Sequence, residues 1–256
     1  MKFIALETVD STNAEAKRIA ERGGFDFAGG PLWIRADSQT AGRGRRGREW
    51  ASKTGNLYCS GLYPIVGSAQ QSAQMSFAAA LALADTLEHY VPRDIISLKW
   101  PNDVLLAGKK TAGILLESGQ TGDQKWMVVG IGVNLTHHPE GTDRPATHVL
   151  EHIPLKDLNT AEPIMTGAQA VLAILAARFD HWRQILLNQG FAALGEAWMA
   201  RAFNVPGPVT VRLPAETFAG DALGLDANGA LRVKLSNGTI RDVHAGDVFF
   251  GPDKAD

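Results

Sequence analysis

Residues 39–50 read QTAGRGRRGREW, and the stretch from Gly42 to Arg48 alone holds four arginines and three glycines. A chain with a formal charge of −2 needs a local reason to gather so much positive charge on so flexible a backbone. Three readings compete: a nucleic-acid-binding segment, a dinucleotide-binding turn, and a loop that encloses a small anion. Gly42, Gly44 and Gly47 satisfy G-x-G-x-x-G. That fingerprint carries meaning only where a strand enters it, a helix leaves it, and an acidic residue follows about twenty positions later. Here the turn-like sequence EWASKTGN follows instead. The chain also lacks G-x-x-x-x-G-K-[ST], so a nucleotide has to be held without a P-loop. As a nucleic-acid segment the stretch lacks interleaved aromatics apart from Trp50, and the surrounding chain is not basic. Glycines beside arginines cost backbone entropy that a merely exposed basic turn has no use for. They let backbone N–H groups approach a ligand while guanidinium groups surround a phosphate or carboxylate. The stretch therefore reads as an anion-enclosing loop.

The surroundings of that loop are those of an ordinary globular protein. With 256 residues, 45% hydrophobic and 20% charged, the chain can bury a substantial core and form one large domain or a large and a small one. Its one cysteine, Cys59, sits in the apolar run LYCSGLY and reads as a buried small side chain. The apolar run near the amino terminus is too short for a signal peptide, and no segment has the length to cross a bilayer, so a cytoplasmic protein is expected.

Thr12 and Glu15 fit a capping box, which predicts a helix starting just after DSTN. PLWIRA and NLYCSGLY read as strands, and the alanine-rich run from Gln70 to Tyr90 as a buried helix. ISLKW, VLLAG, TAGILLES and KWMVVGIGVNL predict four consecutive strands, the first stopping near Pro101, with Asn102, Asp103, Gly108 and Lys109 in or beside turns. Residues 136–160 read as a long surface connection. Two helices, roughly Glu162 to Asn188 and Phe191 to Phe203, are divided by Gly190. Beyond Val205-Pro206-Gly207-Pro208, short alternating strands (VTVRL, ETFAGDALGLD, ALRVKLS, TIRDVHAGDVFF) and the turns Asn228-Gly229 and Asn237-Gly238 predict a small all-β module.

DSTN at 10–13, QTAGRGRRGREW at 39–50, KWPND at 99–103, KKTAGILLE at 109–117 and GIGVN at 130–134 together resemble the catalytic domain of biotin protein ligases. The terminal module resembles the small SH3-like domain that ends those enzymes. The resemblance implies an α+β fold. Residues 1–204 form a class II aminoacyl-tRNA-synthetase-like catalytic domain with a mixed sheet and helices, and residues 205–256 a small SH3-like β-barrel. It implies ATP- and Mg2+-dependent activation of biotin to biotinyl-5′-AMP, then transfer to one lysine of the biotin carboxyl carrier protein of acetyl-CoA carboxylase. The chain starts directly at the catalytic domain, so the monofunctional type, without the repressor domain's route to DNA, is expected; a homodimer stays open. The rivals are a lipoate-type ligase, which shares the fold, and a non-catalytic biotin-binding regulator.

Bringing a carboxylate to an α-phosphate places anions together, so the site must carry compensating cations. Arg43, Arg45, Arg46, Arg48, Lys99 and Lys110 are the candidates. The resemblance places Arg43 and Arg45, with Gly44, over biotin and the phosphate, and makes Lys110 the bridge between carboxylate and α-phosphate. Lys110 and then Arg45 are the catalytic candidates. Biotin's ureido head both donates and accepts hydrogen bonds, so its pocket needs a few oriented polar groups within apolar walls. The resemblance assigns these to Ser11, Thr12, Asn13 and Gln39. On local chemistry alone, Ser11 and Thr12 would serve as helix caps. Arg48, Lys99, Asn102, Asp103 and Asn134 are expected to face ATP, carboxylate and amide oxygens at strand ends suiting a hard cation or a phosphate edge. Asp103 has an alternative role in orienting Lys110 or closing a turn. Trp50 and Trp100 read as core or pocket wall. His137, His138 and His148 lack a cysteine or carboxylate framework, so they are expected on a solvated loop, and no metal ligands are assigned. A glycine-rich loop that orders over biotin would shield the mixed anhydride from water, which predicts that residues 42–50 gain protease resistance with biotin and ATP.

Overall fold

The computed structural model describes residues 1–22, 25–141, 145–154 and 167–251. Seven strands form one mixed sheet: β1 (Lys2–Val9), β2 (Leu32–Gln39), β3 (Leu57–Pro64), β4 (Ile96–Lys99), β5 (Asp103–Leu106), β6 (Lys109–Thr121) and β7 (Gln124–Val133). They lie in the order β1-β2-β3-β7-β6-β5-β4. Only β1 and β2 run parallel; all other neighbours are antiparallel. The crossover between the parallel pair contains helix α1 (Thr12–Glu21), as parallel strands require a connection long enough to return across the sheet.

Two apolar layers sandwich the sheet. On one face α1 lays Ala16 and Ala20 against Leu32, Ile34, Leu62, Trp126 and Val128. On the other, α2 (Ala69–Leu87) packs with α3 (Ala168–Gln189) and α4 (Phe191–Met199) over the main core. Ala78 to Ala84 of α2 are all buried, and such small side chains let helix and sheet approach closely. The helix starts with a reciprocal capping box between Ser68 and Gln71. Trp33, Tyr63 and Phe179 meet edge to face across this core, and the Trp33 indole donates to the Tyr63 hydroxyl at 3.0 Å. Each such ring pair adds about 0.5–1.5 kcal/mol beyond its buried area.

The terminal module is a five-stranded antiparallel sheet of β8 (Gly207–Arg212), β9 (Thr217–Leu225), β10 (Leu231–Lys234), β11 (Ile240–Val243) and β12 (Asp247–Phe250), ordered β11-β10-β9-β8-β12. Among the described residues, no helix is long and apolar enough to cross a membrane.

Several local readings need correction. The amino-terminal KFIALETV forms the edge strand β1, a period-two segment overlooked because most of its side chains are exposed. The capping box expected at Thr12 is absent: Ser11 holds the cap position with no side-chain cap hydrogen bond, and Glu15 pairs with Arg18. The second of the late helices ends at Met199, because the chain beyond it joins the free edge of β4, with Leu98 N–H bonded to the Arg201 carbonyl and Phe203 N–H to that of Leu98. TIRDVHAGDVFF is two strands, β11 and β12, rather than one, and bends at Gly246, where a Cβ would meet the Leu213 side chain at 2.9 Å. The described part of 136–160 is not a loose surface connection: Val149 and Ile153 are buried, and its backbone bonds to Asn134, Leu135 and Lys110. The first residues of the helix expected from Glu162 lie outside the described residues.

Candidate active site

The face of the sheet that carries α1 is left open beyond the helix's amino-terminal end. A cavity of 760 Å³ lies there, within the usual range for a site that engulfs a small ligand. Its floor is backbone. Gly113 on β6 pairs with Gly132 on β7, and Leu115 pairs with Gly130, so three of four adjacent positions carry no side chain. Those glycines are sterically required. A Cβ at Gly130 would lie 2.1 Å from the Asn13 side-chain oxygen, and one at Gly132 2.5 Å from the Trp50 ring.

One end of the cavity is lined by neutral polar side chains and backed by an ion pair. Ser11, Thr12 and Asn13 are each 5% exposed or less. The Thr12 backbone N–H and hydroxyl both donate to the Gln39 side-chain oxygen, at 2.8 and 3.2 Å. The Ser60 hydroxyl lies 2.8 Å from the Thr12 hydroxyl and 2.6 Å from Asn13 Oδ1. The Asn13 amide donates to Glu117 at 2.8 Å, and Lys17 closes the set with a 3.1 Å bond to the same carboxylate. Burial raises the Glu117 carboxyl, but hydrogen bonds from Asn13 and Lys17 outweigh it and hold the group below its ordinary value. Ser11 makes no side-chain cap hydrogen bond, which leaves its hydroxyl for the pocket, while the Thr12 hydroxyl is engaged by Gln39 and Ser60. Just before them, Asp10 grips Arg18 through both carboxylate oxygens and accepts from Ser11 N–H, which brings its carboxyl down to about 2.

The opposite end is cationic. The arginine stretch is a compact turn: Gly44 N–H bonds to the Arg48 carbonyl, Trp50 N–H to that of Gly42, and the backbones of Arg43 and Glu49 form an antiparallel β-bridge. Arg46 and Gly47 both sit in the left-handed region, at φ 58° and 72°, which is where a glycine is needed. The Arg45 guanidinium reaches over the cavity to donate to Asn102 Oδ1 at 3.2 Å, and Asn102 in turn donates to the Ile114 carbonyl at 2.7 Å. Burial lowers the Arg45 pKa from its ordinary value, opposed by Asp247 and Asp103. Lys110 Nζ lies 2.6 Å from the buried Asp103 carboxylate and 5.4 Å from the centre of the Trp50 ring. Asp103 thus has the geometry of an orienting partner for Lys110. The Trp50 indole N–H is buried with no hydrogen-bond partner among the described residues, so a ligand acceptor at this wall would satisfy a costly orphan donor.

All the expected site residues except Lys99 line this cavity. The Lys99 ammonium instead lies 6.0 Å from the Phe249 ring centre. Asn134 lines the cavity but spends its amide donor on the Thr147 carbonyl at 3.1 Å. Trp100 is core, its indole bonded to the Gly229 carbonyl. Ser60, Glu117 and Asp247 had escaped the sequence reading; Glu117 at least closes the KKTAGILLE motif. Asp247, from β12, accepts from Arg46 at 3.0 Å and Arg48 at 2.5 Å, tying the arginine loop to the terminal module. Both guanidinium groups are substantially exposed, so each pair adds only about 0–1 kcal/mol. The expected consequence of Asp247→Ala is therefore local: faster tryptic cleavage within residues 42–50 at unchanged global stability. Equal cleavage of variant and parent would show that Asp247 does not restrain the loop.

The histidines do not lie on an open loop without carboxylates. His138 Nδ1 is 2.8 Å from His148 Nδ1, and Glu151 joins them. Burial and the neighbouring His138 lower the pKa of His148.

Comparison with known proteins agrees with this geometry. The profile described as "Biotin/lipoate A/B protein ligase family" matches residues 6–134, and that described as "Biotin protein ligase C terminal domain" matches residues 208–251. The chain is 39% identical to a biotin--[acetyl-CoA-carboxylase] ligase of Paracoccus denitrificans, an alignment covering 96% of this chain and 99% of the relative. It is 36% identical to the Mycobacterium tuberculosis protein of the same name, over 93% and 85% respectively. Among solved structures, the biotin protein ligase of Aquifex aeolicus in complex with biotin and ATP superposes with a TM-score of 0.76 at 25% identity, covering 98% of this chain and 99% of that one. A cavity with a neutral hydrogen-bonding end and a cationic end, in a chain matched along nearly its whole length, leads to one assignment: the chain belongs to the biotin/lipoate A/B protein ligase family and carries the terminal domain of its biotin protein ligases.

Proposed function

We propose that the chain is a biotin ligase that activates biotin with ATP to biotinyl-5′-AMP and transfers the biotinyl group to a lysine of the biotin carboxyl carrier protein of acetyl-CoA carboxylase. The observation that carries this reading is the polarity of this cavity. Donors and acceptors converge at Thr12, Asn13, Gln39 and Ser60, a glycine floor follows, and Arg45 and Lys110 stand at the far side. A neutral ureido head, an apolar ring and chain, and a carboxylate beside a phosphate have that same sequence of chemistries. The biotin and ATP named in the Aquifex aeolicus complex fit it.

On this reading each lining residue has a role. Ser11, Thr12, Asn13 and Gln39 orient the ureido ring, and Arg43 and Gly44 close over the ligand. Lys110, held by Asp103, sits between the carboxylate and the α-phosphate; Arg45, held by Asn102, offsets charge on the phosphate. A carboxylate oxygen attacks the α-phosphorus and pyrophosphate leaves. The ammonium and guanidinium groups are fixed before reaction, so they stabilise the developing charge without reorganising. The carrier's lysine amine then attacks the carbonyl of the mixed anhydride; the amide forms, AMP leaves, and the amine proton passes to solvent. Asp103 and Asn102 offer the oxygen atoms in this wall that would hold a magnesium ion accompanying the triphosphate, and the ion would offset phosphate charge there. Arg48 and Asn134 border the nucleotide end, and Lys99 acts from behind Phe249. Residues 1–204 serve as the catalytic domain and 205–256 as the terminal module, in a cytoplasmic enzyme whose partners are small substrates and the carrier rather than DNA.

Incubating the protein with biotin, ATP and a carrier domain and then weighing the carrier tests the reading. One biotinyl group added at one lysine is expected. A carrier that gains mass from lipoate instead would favour the lipoate-type ligase, and biotin binding without pyrophosphate release would leave a regulator.

A further inference from the structure

The histidine pair beside the cavity has no part in the ligase chemistry, and its arrangement is unusual. His138 leaves the segment after β7, while His148 and Glu151 come from the turn Val149–His152 and its entrance. His138 Nδ1 and His148 Nδ1 face each other at 2.8 Å, with ring centres 5.1 Å apart. Glu151 Oε2 lies 3.8 Å from His148 Nδ1, and one ligand atom from each of the three residues falls within 4.8 Å of the others. Two imidazole nitrogens and a carboxylate oxygen around a tetrahedral Zn2+, at bond lengths of about 2.0–2.2 Å, would sit roughly 3.3–3.5 Å apart. To reach that geometry the two histidine nitrogens part by about half an ångström and the carboxylate oxygen closes by up to about 1.4 Å. The surroundings already have the form of an outer shell. Thr147 Oγ1 lies 2.8 Å from Glu151 Oε2 and 2.8 Å from His152 Nε2, so it fixes the carboxylate's direction.

We propose that His138, His148 and Glu151 form a binding site for one divalent transition-metal ion of the Zn2+ class, with the fourth position left to water. Two half-buried imidazoles with one exposed carboxylate make a nitrogen-rich set that selects Zn2+, Co2+ or Ni2+ over Mg2+ or Ca2+, which prefer all-oxygen sets. The site is separate from the magnesium that accompanies ATP. His138 precedes Pro139, and His148 follows Ala146 by two residues; Pro139 and Ala146 both line the cavity. A bound ion therefore cross-links two flanks of the cavity rim.

The test uses the full chain, stripped of metal by a chelator and titrated with Zn2+ against a chromophoric competitor. One equivalent of Zn2+ is expected per chain, and Co2+ should give the visible absorption of a four- or five-coordinate nitrogen–oxygen site. Imidazole 15N spectra should show Zn2+ moving the Nδ1 resonances of His138 and His148, not their Nε2 resonances. Losing an outer-shell partner alone typically costs about 10–100-fold in affinity, so His138→Ala and His148→Ala should each weaken Zn2+ binding by more than about tenfold. Glu151→Gln, which keeps the side-chain shape, should weaken it too, and His244→Ala on the terminal module should not. Biotin-dependent pyrophosphate exchange, expected unchanged in these variants, confirms that they are folded. A parent chain that retains no Zn2+, or histidine variants that bind it as the parent does, would overturn the proposal and leave only a hydrogen-bonded histidine pair.

Discussion

Replacing Lys110 with methionine is expected to lower biotin-dependent exchange of pyrophosphate into ATP by about 10²–10³-fold, the usual effect of deleting one preorganised donor to a developing charge. Methionine keeps the length and apolar stem, so Trp50 retains its neighbour while the ammonium is lost. Binding of biotin alone should change little, because the polar end of the cavity, at Thr12 and Asn13, is not touched by the substitution. The loss should therefore appear in kcat more than in KM for biotin. Asp103→Asn supplies the companion experiment. With the carboxylate 2.6 Å from Nζ neutralised, the lysine is still present but no longer held by an opposite charge. Exchange should slow, by less than in the Lys110 variant, and the two effects should not add, as is usual for residues acting as a unit. A Lys110→Met enzyme with parental exchange would remove this residue from the reacting centre and return it to an ordinary turn lysine.

The second large effect is expected from a single added methyl group. Gly130→Ala places a Cβ 2.1 Å from Asn13 Oδ1 and 2.7 Å from its amide carbon and nitrogen. No β-carbon coexists with such contacts, so Asn13 must leave. Its departure breaks the 2.6 Å contact with Ser60 and the 2.8 Å bond to Glu117. Each buried polar group left without a partner costs about 1–3 kcal/mol, so biotin affinity should fall by about 10–100-fold with KM for ATP unchanged. Calorimetric titration with biotin reads the first quantity, and steady-state kinetics the second. Combining Gly130→Ala with Asn13→Ala removes the clash and should restore thermal stability without restoring affinity. Restored affinity in the double variant would mean that Asn13 does not serve the ligand.

The chain's local chemistry made much of this site readable. Turn residues separate KWPND from TAGILLES, so Asn102, Asp103 and Lys110 could be placed at adjoining strand ends before any coordinates. The glycine and arginine alternation marked the loop. Three things were hidden, each for a physical reason. Ser60, in an apolar strand, meets Thr12 and Asn13 only because β3 passes beneath the start of α1, and such contacts across 47 residues and more depend on sheet order. Asp247 reaches the loop from 199 residues away. Glu151 completes the histidine pair because buried Val149 and Ile153 fold its segment back against the sheet. Conversely, Lys99 was assigned to the nucleotide by charge alone. Period two in ISLK sets its side chain beside Phe249, a residue of the same cavity's wall.

The arginine loop is moored at both ends. At the entrance, Thr40 and Ala41 donate their amides to the carbonyls of Val9 and Asp10; at the exit, the Trp50 indole lies across the bare backbone of Gly113 and Gly132. The segment between these posts is also held from outside, Arg45 by Asn102 and Arg46 and Arg48 by Asp247, so its guanidinium groups are presented together on one short turn. Positive potential over the cavity and the cavity's roof are thus one piece of chain, so neither can be lost without the other.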